Sequence, residues 1–229
     1  MIPVRHLAHQ DVGVFGLARS GLASVRALKA GGARVFAWDD KEAARIVAEA
    51  DGATVLPWRD WPWDKLKSLV LSPGVPLTHP APHDIVVKAR HAGVEIVGDV
   101  ELFAREIKGR APLIAITGTN GKSTTTALTG HLLDECGFDA QIGGNIGTPV
   151  LELSPPSAKT VYVLEVSSYQ IDLSPGLKPD VGVLSNITPD HLDRHGTLEA
   201  YASVKARLVE LAASAVIGID DAQTASIFT

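Results

Sequence analysis

Apolar runs and helical stretches alternate along the first part of the chain. The run VGVFG is followed by a glycine turn, the helical stretch SVRALKAGG and a second apolar run, RVFAW, which closes on Asp39 and Asp40. This order predicts a β-α-β unit over residues 11–40. Strand-like runs at TVLP, SLVLS and VEIVGD continue the pattern, with helical spacing between them. The alternation favours a parallel sheet of the doubly wound, Rossmann-like class.

The same rhythm restarts at about Pro112. It runs through the strand PLIAITG, a second glycine turn, the helix STTTALTGHLLDECG, the strands VYVLEV and DVGVLSNI, the helix TLEAYASVKARLVELAAS and the strand AVIGID. VELFAREIKG predicts a short connecting helix, and the Pro- and Gly-rich segment from Leu71 to Pro82 predicts a loop. We therefore expect an α/β chain in which residues 1–95 form a Rossmann-like parallel-sheet domain. Residues 96–229 would form an incomplete P-loop ATPase-type α/β domain.

Composition narrows the class of protein. The 229 residues include 21 Lys and Arg against 26 Asp and Glu, a formal net charge of −5, and a single cysteine, Cys136. One cysteine excludes a disulfide framework, and the opening residues lack an apolar signal region, so we expect a cytoplasmic protein. No stretch approaches the roughly 18 apolar residues of a membrane helix. The acidic balance argues against nucleic acid as a main partner, because that affinity needs clustered Lys and Arg.

The first glycine turn, Gly16 to Gly21, reads GLARSG. It is G-x-G-x-x-G with Ala18 in place of the middle glycine, followed about 20 residues later by Asp39 and Asp40. A helix N-terminus at such a turn favours a phosphate, and an acidic side chain beside it accepts hydrogen bonds from a ribose or a base edge. The alternative is an ordinary tight β-α turn with solvated carboxylates. The turn alone supports a nucleotide-type ligand only weakly.

The second glycine turn carries a stronger signal. Ile116 to Thr124, ITGTNGKST, follows an apolar strand and opens a helix. That context is typical of a phosphate loop, in which Lys122 meets the β and γ phosphates and the Ser123 hydroxyl meets Mg²⁺. Ile116 stands where the first glycine of G-x-x-x-x-G-K-[ST] belongs. An accidental Gly-Lys-Ser-Thr turn is the alternative, which the strand-turn-helix context disfavours.

Candidate metal ligands follow downstream. Glu165 ends the strand VYVLEV, and a strand-end carboxylate without a partner is costly, so we expect a cation beside it. In NITPDHLDRH, His191 and His195 are spaced i and i+4. Zinc is disfavoured because no third nitrogen or sulfur ligand is suitably spaced and no Glu stands between the histidines as in H-E-x-x-H. We expect His191 to serve a second Mg²⁺ and His195 to be a surface or capping residue.

Five motifs occur in a characteristic order and spacing: ITGTNGKSTTT, QIGGNIGTP, VLEVSSYQ, NITPDHLDRHG and YASVKARL. Together they resemble the ATP-dependent Mur ligases of peptidoglycan synthesis, over essentially the entire chain. The resemblance implies that ATP and Mg²⁺ are cofactors and that an amide forms through an acyl phosphate. It also implies a nucleotide site, metal ligands and catalytic residues. The nucleotide site would comprise Gly118, Thr119, Asn120, Gly121, Lys122, Ser123 and Thr124. The metal ligands would be Ser123, Glu165, His191 and Lys205, and the catalytic residues Lys122, His191 and Lys205.

Within the family, LSPGVP after a Rossmann-like start, with DHLDRHG, resembles the branch that adds D-glutamate to UDP-N-acetylmuramoyl-L-alanine. The resemblance implies substrate contacts from Arg19, Ser20, Asp39, Asp40, Ser72 and Asn145. Ala18 replaces a glycine of the family pattern, and Arg19 is bulkier than the residue usual at its position. The resemblance therefore does not specify which residues contact the diphosphate. Two other readings remain: a UDP-sugar-binding or nucleotide-binding module without catalysis, and an NAD-dependent dehydrogenase, which Ala18 and the second phosphate loop both disfavour.

Two further expectations come from the resemblance. Lys205 matches a lysine that the family carries as a carbamate, an anion able to bind Mg²⁺ where an ammonium would repel it; the alternative is a plain surface lysine. The family also has a C-terminal domain that supplies most of the D-glutamate site and closes over ATP. The chain is therefore expected to be an N-terminal fragment that is inactive alone.

Overall fold

The computed structural model describes residues 1–228. The first half alternates strands and helices, as the hydrophobic pattern predicts. Its elements are β1 (Asp11–Phe15), α1 (Arg19–Ala30), β2 (Arg34–Trp38), α2 (Glu42–Ala50), β3 (Thr54–Val55), β4 (Leu66–Leu71), α3 (Asp84–His91), β5 (Glu95–Val97) and α4 (Asp99–Ile107). The predicted loop is confirmed, because β4 ends at Leu71 and α3 begins only at Asp84.

The second half repeats the alternation. Its elements are β6 (Leu113–Thr117), α5 (Lys122–Glu135), β7 (Asp139–Gly144), β8 (Thr160–Glu165), α6 (Ser168–Asp172), β9 (Val181–Leu184), α7 (Leu192–His195), α8 (Leu198–Glu210), β10 (Ser214–Ile217) and α9 (Ala222–Phe228). Strand β7 is absent from the sequence prediction. The other long strands and helices agree with it to within a few residues.

The strands form two five-stranded parallel sheets. The first has the order β3-β2-β1-β4-β5 and the second the order β10-β9-β6-β8-β7. In both sheets the strand that precedes a glycine turn, β1 or β6, is central. Ligands of open parallel sheets bind at the carboxyl ends of the strands, where the strand order reverses. The predicted α/β class is confirmed, and both glycine turns lie at such ends.

Strand burial explains the continuous apolar runs. All five residues of β1 and all six of β8 are buried, as expected when helices cover both faces of a parallel sheet. One large hydrophobic core joins the two halves, from Val12 in β1 to Tyr162 and Leu164 in β8, with Phe103 of α4 between them. The rings of Phe103 and Tyr162 meet edge-on at 4.9 Å. Burial of such rings stabilises the junction of the two sheets.

Helix α4 follows the first sheet and leads into the second. The domain boundary predicted near residue 95 falls within β5, whose residues pair with β4 in the first sheet up to Val97. The boundary itself stays a prediction. Contacts across the two halves include Ile2 N to Leu151 O at 2.8 Å and Arg194 Nη1 to Gly74 O at 3.1 Å. Among the helices of residues 1–228, none combines the length and the apolar character that a membrane span requires.

Candidate functional site

The second glycine turn is held tightly against the end of β9. Gly118 has φ +148°, and a Cβ there would lie 2.0 Å from Ser185 Oγ, so the position requires glycine. Thr119 N donates to Asn186 O at 2.9 Å and Asn120 N donates to Asn186 Oδ1 at 2.9 Å. Ser185 and Asn186 therefore position the turn. Neither residue was predicted as a site residue, although Asn186 begins the NITPDH motif and Ser185 directly precedes it.

The predicted phosphate-binding side chains start α5. Lys122 Nζ donates to Thr119 O at 2.8 Å, and Ser123 Oγ donates to Glu165 Oε2 at 2.7 Å. Thr124 is exposed in the same turn of helix. A half-buried lysine and free backbone N–H groups at a helix N-terminus are the groups that bind a polyphosphate. The turn thus has the composition and the placement of a phosphate loop.

Glu165 is buried and accepts hydrogen bonds from two side chains. Its Oε1 accepts from Asn145 Nδ2 at 2.7 Å and its Oε2 from Ser123 Oγ. Both donors are neutral side chains. The donors lie 20 and 42 positions away in the sequence, so the sequence alone could not show these hydrogen bonds, and the metal-ligand role of Glu165 stays a prediction. A lone pair remains on each oxygen for a further ligand.

Lys205 is buried on α8, with 1% of its surface exposed, so the surface-lysine alternative is wrong. Its Nζ donates to Gly118 O at 2.8 Å and to Thr117 Oγ1 at 3.2 Å, and lies 4.8 Å from the centre of the Tyr201 ring. These groups are uncharged. Burial, helped by the positive charge of Lys122, lowers the pKa of the Lys205 amine to about 7. Much of the amine is therefore neutral near pH 7.

The two histidines of NITPDHLDRH have different environments. His191 is half exposed at the start of α7, with φ 51°, and its ring lies 5.1 Å from the Tyr169 ring. His195 is buried, stacks on Tyr169 at 5.4 Å and shares a 2.9 Å hydrogen bond between Nε2 and Ser168 Oγ. Burial lowers the His195 pKa. The prediction of His195 as a surface or capping residue was wrong, because the short helix α7 turns it inward onto α6.

Two adjoining cavities are lined by residues of the predicted site. The nucleotide-side cavity, of about 230 Å³, brings together Lys122, His191 and Lys205. The cleft between the two sheets, of about 290 Å³, is lined by Arg19 and Ser20. Asn145 lines both. The two cavities thus bring together predicted residues of both glycine turns, while Ser72 lines a smaller pocket at the first glycine turn. Asp39 and Asp40 line none of these three cavities.

The first glycine turn is anchored by Asp39. Leu17 N donates to Asp39 Oδ2 at 2.6 Å, and Lys41 N donates to Asp39 Oδ1 at 2.9 Å. Asp40 is exposed beside it. Arg19 reaches across the cleft and donates to Gly147 O. Asp39 therefore shapes the turn and retains one lone pair on each oxygen for a ligand, whereas Arg19 is already engaged with the opposite wall.

The side-chain oxygens beside the phosphate loop suit Mg²⁺. A carboxylate and a hydroxyl are ligands that Mg²⁺ accepts, so the neighbouring oxygens of Glu165 and Ser123 fit. Within residues 1–228, no group of three or more His, Cys, Asp or Glu side chains could hold a metal ion. As an amine, Lys205 adds no anionic ligand. The residues present fit a cation that keeps several waters or phosphate oxygens as ligands.

The fold and this phosphate loop define the class of protein. Residues 116–228 match the family described as the Mur ligase middle domain. A solved structure with the same fold is UDP-N-acetylmuramate:L-alanyl-gamma-D-glutamyl-meso-diaminopimelate ligase from Neisseria meningitides, at TM-score 0.63 and 18% identity, covering 96% of this chain and 75% of that chain. The chain belongs to the Mur ligase family.

Curated proteins with similar sequences share one name. The chain is 59% identical over 227 residues to UDP-N-acetylmuramoylalanine–D-glutamate ligase of Rhodopseudomonas palustris, covering 96% of this chain and 48% of the relative. It is 57% identical over 230 residues to the ligase of the same name from Rhizobium etli, covering 99% and 49%. The chain therefore spans about half the length of the curated relatives it matches.

Proposed function

We propose that this chain supplies the UDP-substrate and ATP sites of a ligase that joins D-glutamate to UDP-N-acetylmuramoyl-L-alanine. The observation that carries the proposal is the pair of adjoining cavities that share Asn145. One has a phosphate loop at its wall and the other lies at the first glycine turn. A reaction between a nucleotide phosphate and a substrate carboxylate needs two anion sites that meet, and the shared wall supports this arrangement.

The residues of the nucleotide-side cavity have separate roles in this proposal. Lys122 and the free backbone N–H groups at the start of α5 hold the phosphates and offset the repulsion between the γ-phosphate and the substrate carboxylate. Ser123, Glu165 and His191 would hold Mg²⁺, which supplies positive charge to the phosphate oxygens when it is bound. Asn145 keeps Glu165 in place and faces the substrate. ATP then phosphorylates the substrate carboxylate, and the amine of D-glutamate displaces phosphate.

Lys205 is proposed to act as a carbamate. Carbamate formation joins CO₂ to a neutral amine and releases one proton, so it requires an amine that is not held as an ammonium by a nearby carboxylate. The buried amine of Lys205, beside a hydroxyl, a carbonyl and an aromatic ring, meets this requirement. The product is an anion beside Lys122. Such an anion would add a further Mg²⁺ ligand to those that Glu165 and Ser123 supply.

Substrate binding is proposed to use Arg19, Ser20, Asp39, Asp40 and Ser72 at the uridine diphosphate end. Because the relatives are about twice as long as this chain, the complete reaction and the D-glutamate site are proposed for a protein of their length. The chain alone is proposed to bind both ligands without forming the amide. The single exposed cysteine is consistent with the cytoplasmic location predicted from sequence.

Calorimetric titration with UDP-N-acetylmuramoyl-L-alanine tests the proposal. Asp39→Ala removes two backbone anchors and a ligand acceptor at the first glycine turn, so we expect affinity to fall about tenfold. Asp64→Ala, at an exposed position away from the cleft, is the control and should bind as the unmodified chain does. Equal affinity in all three proteins would contradict the assignment. Binding of the UDP ligand without any ATP binding would favour the module without catalysis.

A further inference from the structure

Asp99 is a buried carboxylate that the proposed reaction does not use. It is the first residue of α4 and is 4% exposed. Within the described residues, its Oδ1 has no hydrogen-bond partner. A buried carboxyl oxygen without a donor is costly, since burial removes its water and nothing replaces it. Such an oxygen is stabilised by a hydrogen-bond donor or by binding a proton.

The position of Asp99 connects it to the cleft. Asp99 lines the small pocket beneath the first glycine turn, together with Gly16, Ser20 and Ser72. Ser20 also lines the cleft of about 290 Å³, as does Gln170, whose side chain interacts with the Asp99 carboxyl group. Asp99 therefore adjoins the cleft where the diphosphate is proposed to bind, through Ser20, which lines both spaces, and through Gln170, which lines the cleft and meets the Asp99 carboxyl group.

Charged groups on the surrounding elements do not neutralise Asp99. On α4 itself, Arg105 pairs with Glu101 at 2.8 Å. On α1, Arg19 crosses the cleft to Gly147 O, and on α6, Asp172 faces Arg207 at 3.9 Å. The pocket-lining residues of β1 and β4 and of the segments just after them are uncharged: Val14, Gly16, Val70, Leu71 and Ser72.

Burial raises the Asp99 pKa to about 6, with partial relief from the backbone N–H groups of Asp99 and Val100 and from the Gln170 side chain. Roughly one Asp99 side chain in ten then carries a proton at pH 7. A diphosphate in the neighbouring cleft adds negative charge on the far side of the glycine turn. Like charges at short range in a dry environment raise the pKa of a carboxyl group further.

We propose that Asp99 takes up a proton from solvent when a diphosphate ligand occupies the cleft, so that a neutral carboxyl group supports the glycine turn from below. This inference rests on the proposed binding of a UDP substrate. Asp99 is thus a positioning residue, and its O–H becomes a donor near Ser20 and Ser72. No bond other than that to the proton forms or breaks.

Calorimetry of UDP-N-acetylmuramoyl-L-alanine binding at pH 7 measures this proton directly. The titration is repeated in phosphate and in Tris, buffers whose ionisation enthalpies differ, and the difference in heat gives the number of protons exchanged. The ligand carries no group that titrates between pH 6 and 8. We expect uptake of about 0.5 to 0.9 proton per site, since about 0.1 is already bound. Asp99→Asn should lower the uptake to near zero, and the control Asp64→Asn should leave it unchanged.

The pH dependence of affinity in the unmodified chain provides a second measurement, which stands even if Asp99→Asn fails to fold. Proton uptake requires tighter binding at lower pH, and we expect the affinity at pH 6 to exceed that at pH 8 by about 7- to 45-fold. Normal affinity with no proton exchange, or with the same exchange in Asp99→Asn, would overturn the inference and leave the proposed substrate site intact. Failure of the ligand to bind at all would overturn both.

Discussion

Replacing Lys205 with Met should change how stability depends on pH. Lys205 is 1% exposed, and no ion pair to it exists within residues 1–228. Burial, and secondarily the charge of Lys122, lowers its pKa from 10.5 to about 7. The unfolded chain therefore binds more protons than the folded chain between pH 7 and pH 10.5. The free energy of unfolding should rise with pH across this range.

The size of the effect follows from the two pKa values. Integration of the linkage relation between pH 6 and pH 9 gives a gain of about 2.5 kcal/mol from Lys205 in the unmodified chain. Lys205→Met lacks this titrating amine. Between pH 6 and pH 9, its free energy of unfolding should therefore rise by about 2.5 kcal/mol less than that of the unmodified chain. Met also leaves the Gly118 carbonyl without a donor, a pH-independent cost of about 1–3 kcal/mol that cancels when the two pH values are compared.

Urea unfolding at pH 6 and pH 9, in buffers freed of CO₂, measures the difference. Lys159→Met, at an exposed position, is the control, and its pH dependence should match that of the unmodified chain. An equal rise in stability with pH for Lys205→Met would refute the reasoning, because it would show that the buried amine keeps its ordinary pKa.

Three further predictions concern other parts of the molecule. Gly21→Ala would place a Cβ 1.9 Å from the Gly16 carbonyl oxygen, and thermal unfolding should show a loss of at least about 2 kcal/mol; an unchanged melting temperature would contradict this packing. Asp99→Asn should remove a pH-dependent loss of up to about 3 kcal/mol between pH 4 and pH 7, because the folded chain binds the extra proton there. If the urea midpoint shifts equally between pH 4 and pH 7 in the unmodified chain and in Asp99→Asn, the raised Asp99 pKa is excluded. Ser123→Ala should weaken Mg²⁺-dependent ATP binding several-fold with little change in Mg²⁺-free binding, and equal losses in both would argue against a metal contact.

Much of the fold was predictable because its strands are apolar and its turns are rich in glycine. Strands β1, β6 and β8 are nearly continuous apolar runs, as expected for strands covered on both faces. Strand β7 was not predicted. Its sequence, DAQIGG, has one β-branched residue and ends on two glycines, and it pairs with β8 alone at the edge of the sheet. Tertiary pairing, rather than local propensity, makes it a strand.

The candidate site was predictable in its residues but not in its contacts. The sequence placed Lys122 and Ser123 just after one strand and Glu165 at the end of another, and the structure shows that these two strands are neighbours. It could not show that Asn145 and Ser123 satisfy Glu165, since those hydrogen bonds join positions 20 and 42 residues away. The inward turn of His195 depends on a four-residue helix, α7, whose direction is set by packing against α6.

ATP binding at the second glycine turn is the most direct test of the central claim. Equilibrium titration with ATP and Mg²⁺ compares the unmodified chain, Lys122→Ala and the exposed-lysine control Lys159→Ala. The account predicts that Lys122→Ala binds at least about tenfold more weakly, because one charge-assisted contact to the phosphates is lost, and that Lys159→Ala binds normally. Unchanged ATP affinity in a folded Lys122→Ala protein would contradict the account.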